Sequence, residues 1–104
     1  MNLFEGIPDD LPDELVTVLR QAPGVRIERI VSRGQISPPG FWYDQDEGEL
    51  VLLLAGRARL LLEGEPEREL QAGDWIDIPP HLRHRVTFTD PDHATIWLAV
   101  FYRA

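Results

Sequence analysis

Apolar and polar residues alternate with a period of two through most of the chain, and Gly, Pro and Asp clusters interrupt the alternation at short intervals. Val25 to Val31 is rich in β-branched residues. Ser37-Pro38-Pro39-Gly40 breaks the pattern before Phe41-Trp42-Tyr43 opens a further segment. Leu50 to Ala55 is almost wholly apolar and ends at Gly56, after which Ala58 to Leu62 runs to Glu63-Gly64-Glu65-Pro66. Trp75 to Ile78 lies between Ala72-Gly73-Asp74 and Pro79-Pro80, Val86 to Thr89 leads into Asp90-Pro91-Asp92, and Thr95 to Tyr102 closes the pattern. Period-two segments bounded by turn residues are strands. About eight short strands with no helix recurring between them predict an antiparallel sandwich or barrel rather than a βαβ fold.

The amino-terminal stretch reads differently. Asp10 is a suitable cap, Pro12 is tolerated in a first helical turn, and Asp13 and Glu14 suit the positive end of a helix dipole. Leu11, Leu15, Val18 and Leu19 then form one apolar stripe at helical spacing, which Pro23-Gly24 stops. The spacing predicts a short helix over about residues 11 to 21. The chain thus divides into residues 1–24, a loop and helix packed on the main body, and residues 25–104, the barrel. Leu50 to Leu54 and the last strand are apolar on both faces, so their outer faces need cover. The helix or a second subunit would provide it, and a homodimer is expected.

Composition narrows the function. Hydrophobic residues form 43% and charged residues 27% of the 104-residue chain, which fits one folded domain. Eighteen acidic against ten basic side chains give a net charge of −8. That argues against nucleic acid and against an anionic membrane surface, since both demand a clustered positive surface. Cysteine is absent, which excludes disulfides and thiolate metal sites. The first residues lack the charged and apolar regions of a signal peptide, and no apolar run spans a bilayer. A cytoplasmic protein is expected.

Two stretches carry a resemblance. Gly73-Asp74-Trp75-Ile76-Asp77-Ile78-Pro79-Pro80-His81-Leu82-Arg83-His84 resembles the second motif of the cupin superfamily in its Gly, Pro and final His. His81 stands where that family usually has Gly, and Phe88 where it often has Asn. Glu49, six residues and Gly56 match the end of the first cupin motif, but Tyr43 and Gln45 occupy the places of its paired histidines. A longer spacing would put Trp42 and Asp44 there. The resemblance covers about residues 25 to 102 and implies an antiparallel jelly-roll β-barrel.

It also implies a site. Tyr43 and Gln45 share one face at period two, the Asp46-Glu47-Gly48 turn brings Glu49 back across from Gln45, and His84 begins the strand that in cupins lies beside the first motif. Gln45, Glu49 and His84, with Tyr43 close, are therefore the candidate metal ligands. One imidazole, one carboxylate and oxygen donors suit Zn, Fe, Mn or Ni. Glu49 or His84 is equally a candidate general base, and Tyr43 a candidate hydrogen-bond donor to an oxyanion. Blander roles compete. Glu49 can cap the turn or pair with Arg57, His81 and His93 read as solvated, and Trp42, Trp75 and Trp97 read first as core. Three functions remain open at this point: a cupin holding a divalent metal or a small polar ligand, a metal-free small-molecule binder, and a structural barrel with a packed interior.

Overall fold

The computed structural model describes residues 1–103 and contains eight strands and no helix among them. They are β1 (Leu15–Ala22), β2 (Val25–Ser32), β3 (Gly48–Ala55), β4 (Arg57–Leu62), β5 (Arg68–Gln71), β6 (Trp75–Ile78), β7 (His84–Thr89) and β8 (Thr95–Tyr102). A five-stranded sheet in the order β1-β2-β8-β3-β6 faces a three-stranded sheet in the order β5-β4-β7, and every pairing is antiparallel. This is the jelly-roll barrel expected. No helix among the described residues is long and apolar enough to cross a membrane.

The expected helix over residues 11 to 21 is absent, and the amino-terminal part of the fold is corrected accordingly. Leu15 to Ala22 forms a strand that pairs with β2, from Leu15 opposite Val31 to Ala22 opposite Val25. The Pro23-Gly24 pair does not stop a helix. It is the two-residue turn of a β-hairpin, with Gly24 at φ +80 and Pro in the preceding position that its ring pre-shapes. Between Pro12 and Pro23 an isolated helix would be too short to stand alone, whereas Val16-Thr17-Val18 suits a pleated edge beside β2. The helical spacing of the leucines is broken by a bulge between Val18 and Arg20 that lets Leu19 out of register.

Two other differences concern strand content. Arg68–Gln71 is a strand that the sequence did not announce, and it buries only Leu70. Phe41 to Tyr43 makes no ladder, joining the smaller sheet through one bridge between Tyr43 and His84.

Alternation sorts each strand into two faces. On β3, Val51 and Leu53 point inward, and on β8 Trp97, Ala99 and Phe101 do so; they meet Ala58, Leu60 and Leu62 of β4 in the core. Leu53 and Leu62 are almost fully buried, each contributing about 1.5–3 kcal/mol by leaving water. On the outer face of the larger sheet, Leu52 lies opposite both Leu98 and Trp75, and Val100 lies between Leu50 and Ile27. The leucines, Val100 and Ile27 are half-buried and Trp75 is exposed. The amino-terminal segment covers this face only at the β2 end. There the buried Arg29 guanidinium donates to the carbonyls of Leu3 at 3.2 Å and Glu5 at 2.7 Å.

Candidate functional site

The two sheets do not close completely on each other. A cavity of about 330 Å³ remains between them, walled mainly by apolar side chains such as Val51, Leu60, Ile78, Val86 and Trp97. Ala99 sits in the middle of the β8 wall between Trp97 and Phe101. Its small side chain leaves space that a larger one would fill.

All four candidate residues line this cavity. Glu49 shares the inward face of β3 with Val51. His84 begins β7, and its backbone exchanges two hydrogen bonds with Tyr43: the Tyr43 N–H donates to the His84 carbonyl at 2.7 Å and the His84 N–H to the Tyr43 carbonyl at 3.1 Å. That bridge lays the Tyr43 ring against the imidazole, with centroids 5.4 Å apart and planes 24° from parallel. Gln45, two residues on, donates through Nε2 to Glu49 Oε1 at 3.0 Å. The same oxygen lies 3.3 Å from His84 Nε2. Glu49 Oε1 is thus engaged twice, while Oε2 has no protein hydrogen bond and is not sealed into the wall.

The electrostatics follow from that geometry. Burial is the largest single influence on His84 and pulls its pKa down. The hydrogen bond with Glu49, the Leu82 carbonyl and the Glu49 charge together outweigh it, so the imidazole ends above its ordinary 6.5. Burial, reinforced by the charges of Glu14 and Glu49, pushes the Tyr43 phenol up as well. Tyr43 therefore stays protonated at neutral pH.

Glu14, Arg26 and Glu28 also line the cavity, and none of the three is singled out by the sequence as a site residue. Glu14, expected at a helix start, instead accepts a hydrogen bond from Ser32 Oγ at 2.7 Å. Arg26 and Glu28 carry a signal in their parity on β2, since they share the inward face with Ile30. Arg26 is paired twice: Nε contacts Glu28 at 2.9 Å and Nη1 contacts Glu47 at 3.3 Å, and its guanidinium lies 4.2 Å from the Phe101 ring centre. Of the three tryptophans, Trp97 alone lines the cavity. Trp42 lies outside beneath Arg83 and Arg85, and Trp75 is exposed. Asp44 turns away from the cavity to His81, and His93 is exposed beside Asp90.

The donor set does not fit a resident divalent metal. A catalytic zinc takes three protein ligands from imidazole, thiolate or carboxylate, and no group of three His, Cys, Asp or Glu with that geometry exists among the described residues. His84 is paired with one carboxylate, Glu49, while Glu14 is tied to Ser32 and Glu28 to Arg26. Tyr43 keeps its proton, and Gln45, tied through Nε2 to Glu49, has only a neutral carbonyl oxygen to offer.

Comparison with known proteins agrees with the fold. A crystal structure from Ralstonia eutropha JMP134, provisionally named a mannose-6-phosphate isomerase, is 46% identical, with 100% of this chain and 97% of that one covered and a TM-score of 0.97. A cupin superfamily protein from Desulfitobacterium hafniense DCB-2 is 18% identical, with 94% and 84% covered and a TM-score of 0.77. The TT1209 protein of Thermus thermophilus is 15% identical, with 98% and 94% covered and a TM-score of 0.79. No curated protein matches. The family model for the cupin domain matches residues 29–101, and with the barrel, the Glu49–Gly56 and Gly73–His84 spacings and these relatives in hand, the chain belongs to the cupin family.

Proposed function

We propose that this cupin is a small-molecule-binding protein whose barrel takes a neutral or cationic organic ligand bearing a hydroxyl or amine, without a resident metal. The observation that carries this reading is the split role of Glu49. One carboxylate oxygen is fixed by Gln45 and His84 and the other has no protein hydrogen bond, in a cavity whose wall is mainly apolar. Pockets of this kind, mostly apolar with a few placed polar groups, are the usual form of a ligand site, and about 330 Å³ is at their small end. A free carboxylate oxygen accepts from a ligand O–H or N–H and repels an anion.

The same lining argues against a sugar phosphate, despite the name of the Ralstonia eutropha relative. Phosphate recognition draws on cationic groups with donors to spare. Among the described residues Arg26 is the one Arg or Lys lining the cavity, and Glu28 and Glu47 already hold it.

The test is a thermal-stability panel of sugars, polyols, amines and mannose 6-phosphate in excess chelator, since a ligand that binds only the folded state raises the melting temperature. We expect a neutral or cationic compound to stabilise the wild type and to lose most of that effect in Glu49→Gln, with mannose 6-phosphate inert. Stabilisation that needs added metal, or that Glu49→Gln leaves intact, refutes the reading.

A further inference from the structure

We propose that His81 is a clasp on the mouth of this cavity, a positioning residue that holds the 44–46 segment shut from outside. His81 is the one non-glycine residue with positive φ among those described, at +63. An L-residue adopts that left-handed conformation at a cost and keeps it where surrounding contacts over-determine it. Here three contacts do so, and they fall on three consecutive residues. The His81 backbone N–H donates to the Gln45 carbonyl at 2.9 Å. On the ring, Nδ1 lies 2.8 Å from Asp44 Oδ1 and Nε2 lies 3.2 Å from Asp46 Oδ1.

The segment so gripped carries the cavity wall. Tyr43 and Gln45 face inward and line the cavity, while Asp44 and Asp46 face outward to the imidazole. The only other backbone tie of Tyr43 is its bridge to His84, and Gln45 reaches Glu49 through its side chain. A grip on Asp44 and Asp46 therefore fixes the two inward residues between them. His81, Asp44 and Asp46 are 63%, 48% and 70% exposed, and ion pairs in water are individually weak. The clasp can open without unfolding the barrel.

Asp44 and Asp46 are the charged groups that contact the ring. On the ring's own loop, Arg83 is engaged by Glu63 at 2.9 Å.

The inference rests on the cavity being reachable from solvent, and the experiment separates the two. The chain has no cysteine, so Ala99→Cys places a single thiol in the cavity wall, and its modification by a neutral methanethiosulfonate reagent reports opening. In the Ala99→Cys background, His81→Gly removes the clasp while glycine accepts the positive φ freely. We expect modification at least fivefold faster than in the Ala99→Cys parent at the same pH, with no fall in melting temperature. Comparing the two variants at one pH cancels the thiol's own titration, and a merely structural role for His81 would show as a lowered melting temperature instead. Equal, measurable rates in both backgrounds overturn the clasp alone. A thiol that is inert in both overturns the clasp and the open cavity together.

Discussion

His84 Nε2 faces Glu49 Oε1 at 3.3 Å, and the two form one charge pair. The His84 Nδ1 lies 2.9 Å from the Leu82 carbonyl, which can only accept, so Nδ1 carries a hydrogen. A lone pair on Nε2 would face the carboxylate unfavourably, whereas a second N–H there donates to it. The pairing therefore favours the imidazolium, and the raised His84 pKa is its mark.

The raised pKa makes stability depend on pH with a definite sign. The folded state holds the His84 proton more tightly than the unfolded state, whose imidazole titrates near 6.5. The resulting stabilisation is complete below that value and is lost as pH rises through the folded-state pKa above it. Urea unfolding of wild type and His84→Gln across pH 5 to 9 should give a stability difference that is largest at the acid end and shrinks on the alkaline side of 6.5. A difference that grows with pH would contradict the pairing. In Glu49→Gln the His84 pKa should fall, because burial then acts with less opposition; the ring-proton chemical shift of His84 followed by NMR reads this directly.

Metal should be dispensable. His84 and Glu49 converge on no third His, Cys, Asp or Glu among the described residues, one strong donor short of the usual catalytic zinc set. Protein dialysed against Zn, Fe, Mn or Ni and then against buffer should retain well under one equivalent by elemental analysis, and chelator should leave its melting temperature unchanged. One equivalent of tightly held metal that His84→Ala abolishes would refute this.

How far the sequence foretold the molecule varies with the physical signal available at each element. The strands β2, β3 and β8 were legible because β-branched and apolar residues alternate there between turn residues. The β1 strand was not, because Leu11, Leu15, Val18 and Leu19 satisfy a helical period that a bulge at Leu19 makes coincidental. Only pairing with β2, a tertiary event, decides the matter. The β5 strand was hidden by its polarity, with Leu70 its single buried side chain. Within the site, the convergence of Tyr43, Gln45, Glu49 and His84 followed from motif spacing, whereas the number of metal donors depends on protonation and hydrogen bonding that spacing does not encode. Arg26 and Glu28 escaped notice because polar residues on an inward face read as solvated until the partner strands are known.

Two glycines that the sequence reads alike should behave differently when replaced. Gly56 and Gly73 both have positive φ, at +85 and +95. A Cβ on Gly73 would meet nothing within 4 Å, while one on Gly56 would lie 2.6 Å from Thr95 Cα and 2.8 Å from the Ala94 carbonyl. Gly73→Ala should cost about 1–2 kcal/mol, the backbone strain alone. Gly56→Ala adds a clash with backbone that cannot rotate away, and should cost about 3 kcal/mol or more. Chemical denaturation of both variants measures the gap, and equal losses would mean that the β3–β4 corner yields.

The outer face of the larger sheet bears on assembly. Leu50, Leu52, Leu98, Val100 and Ile27 are neighbours across three strands, and Trp75, at 65% exposure, extends the patch to the β6 edge. The amino-terminal segment reaches this face at Arg29, opposite Leu98, and Trp75 on the β6 side is left to solvent in a single chain. Contiguous apolar surface on a small protein is a usual mark of association, and a two-fold pairing lets one patch serve as its own complement. Light scattering on the 11.9 kDa chain should therefore give twice that mass at tens of micromolar. Trp75→Glu should shift the protein toward monomer without lowering the urea stability of the separated chain, because Trp75 is not part of the core. A wild type that is monomeric at that concentration would leave the patch without this role, and a Trp75→Glu variant that remains fully dimeric would move the contact to another face, of which the β1 edge with exposed Val16, Val18 and Leu19 is the next most apolar.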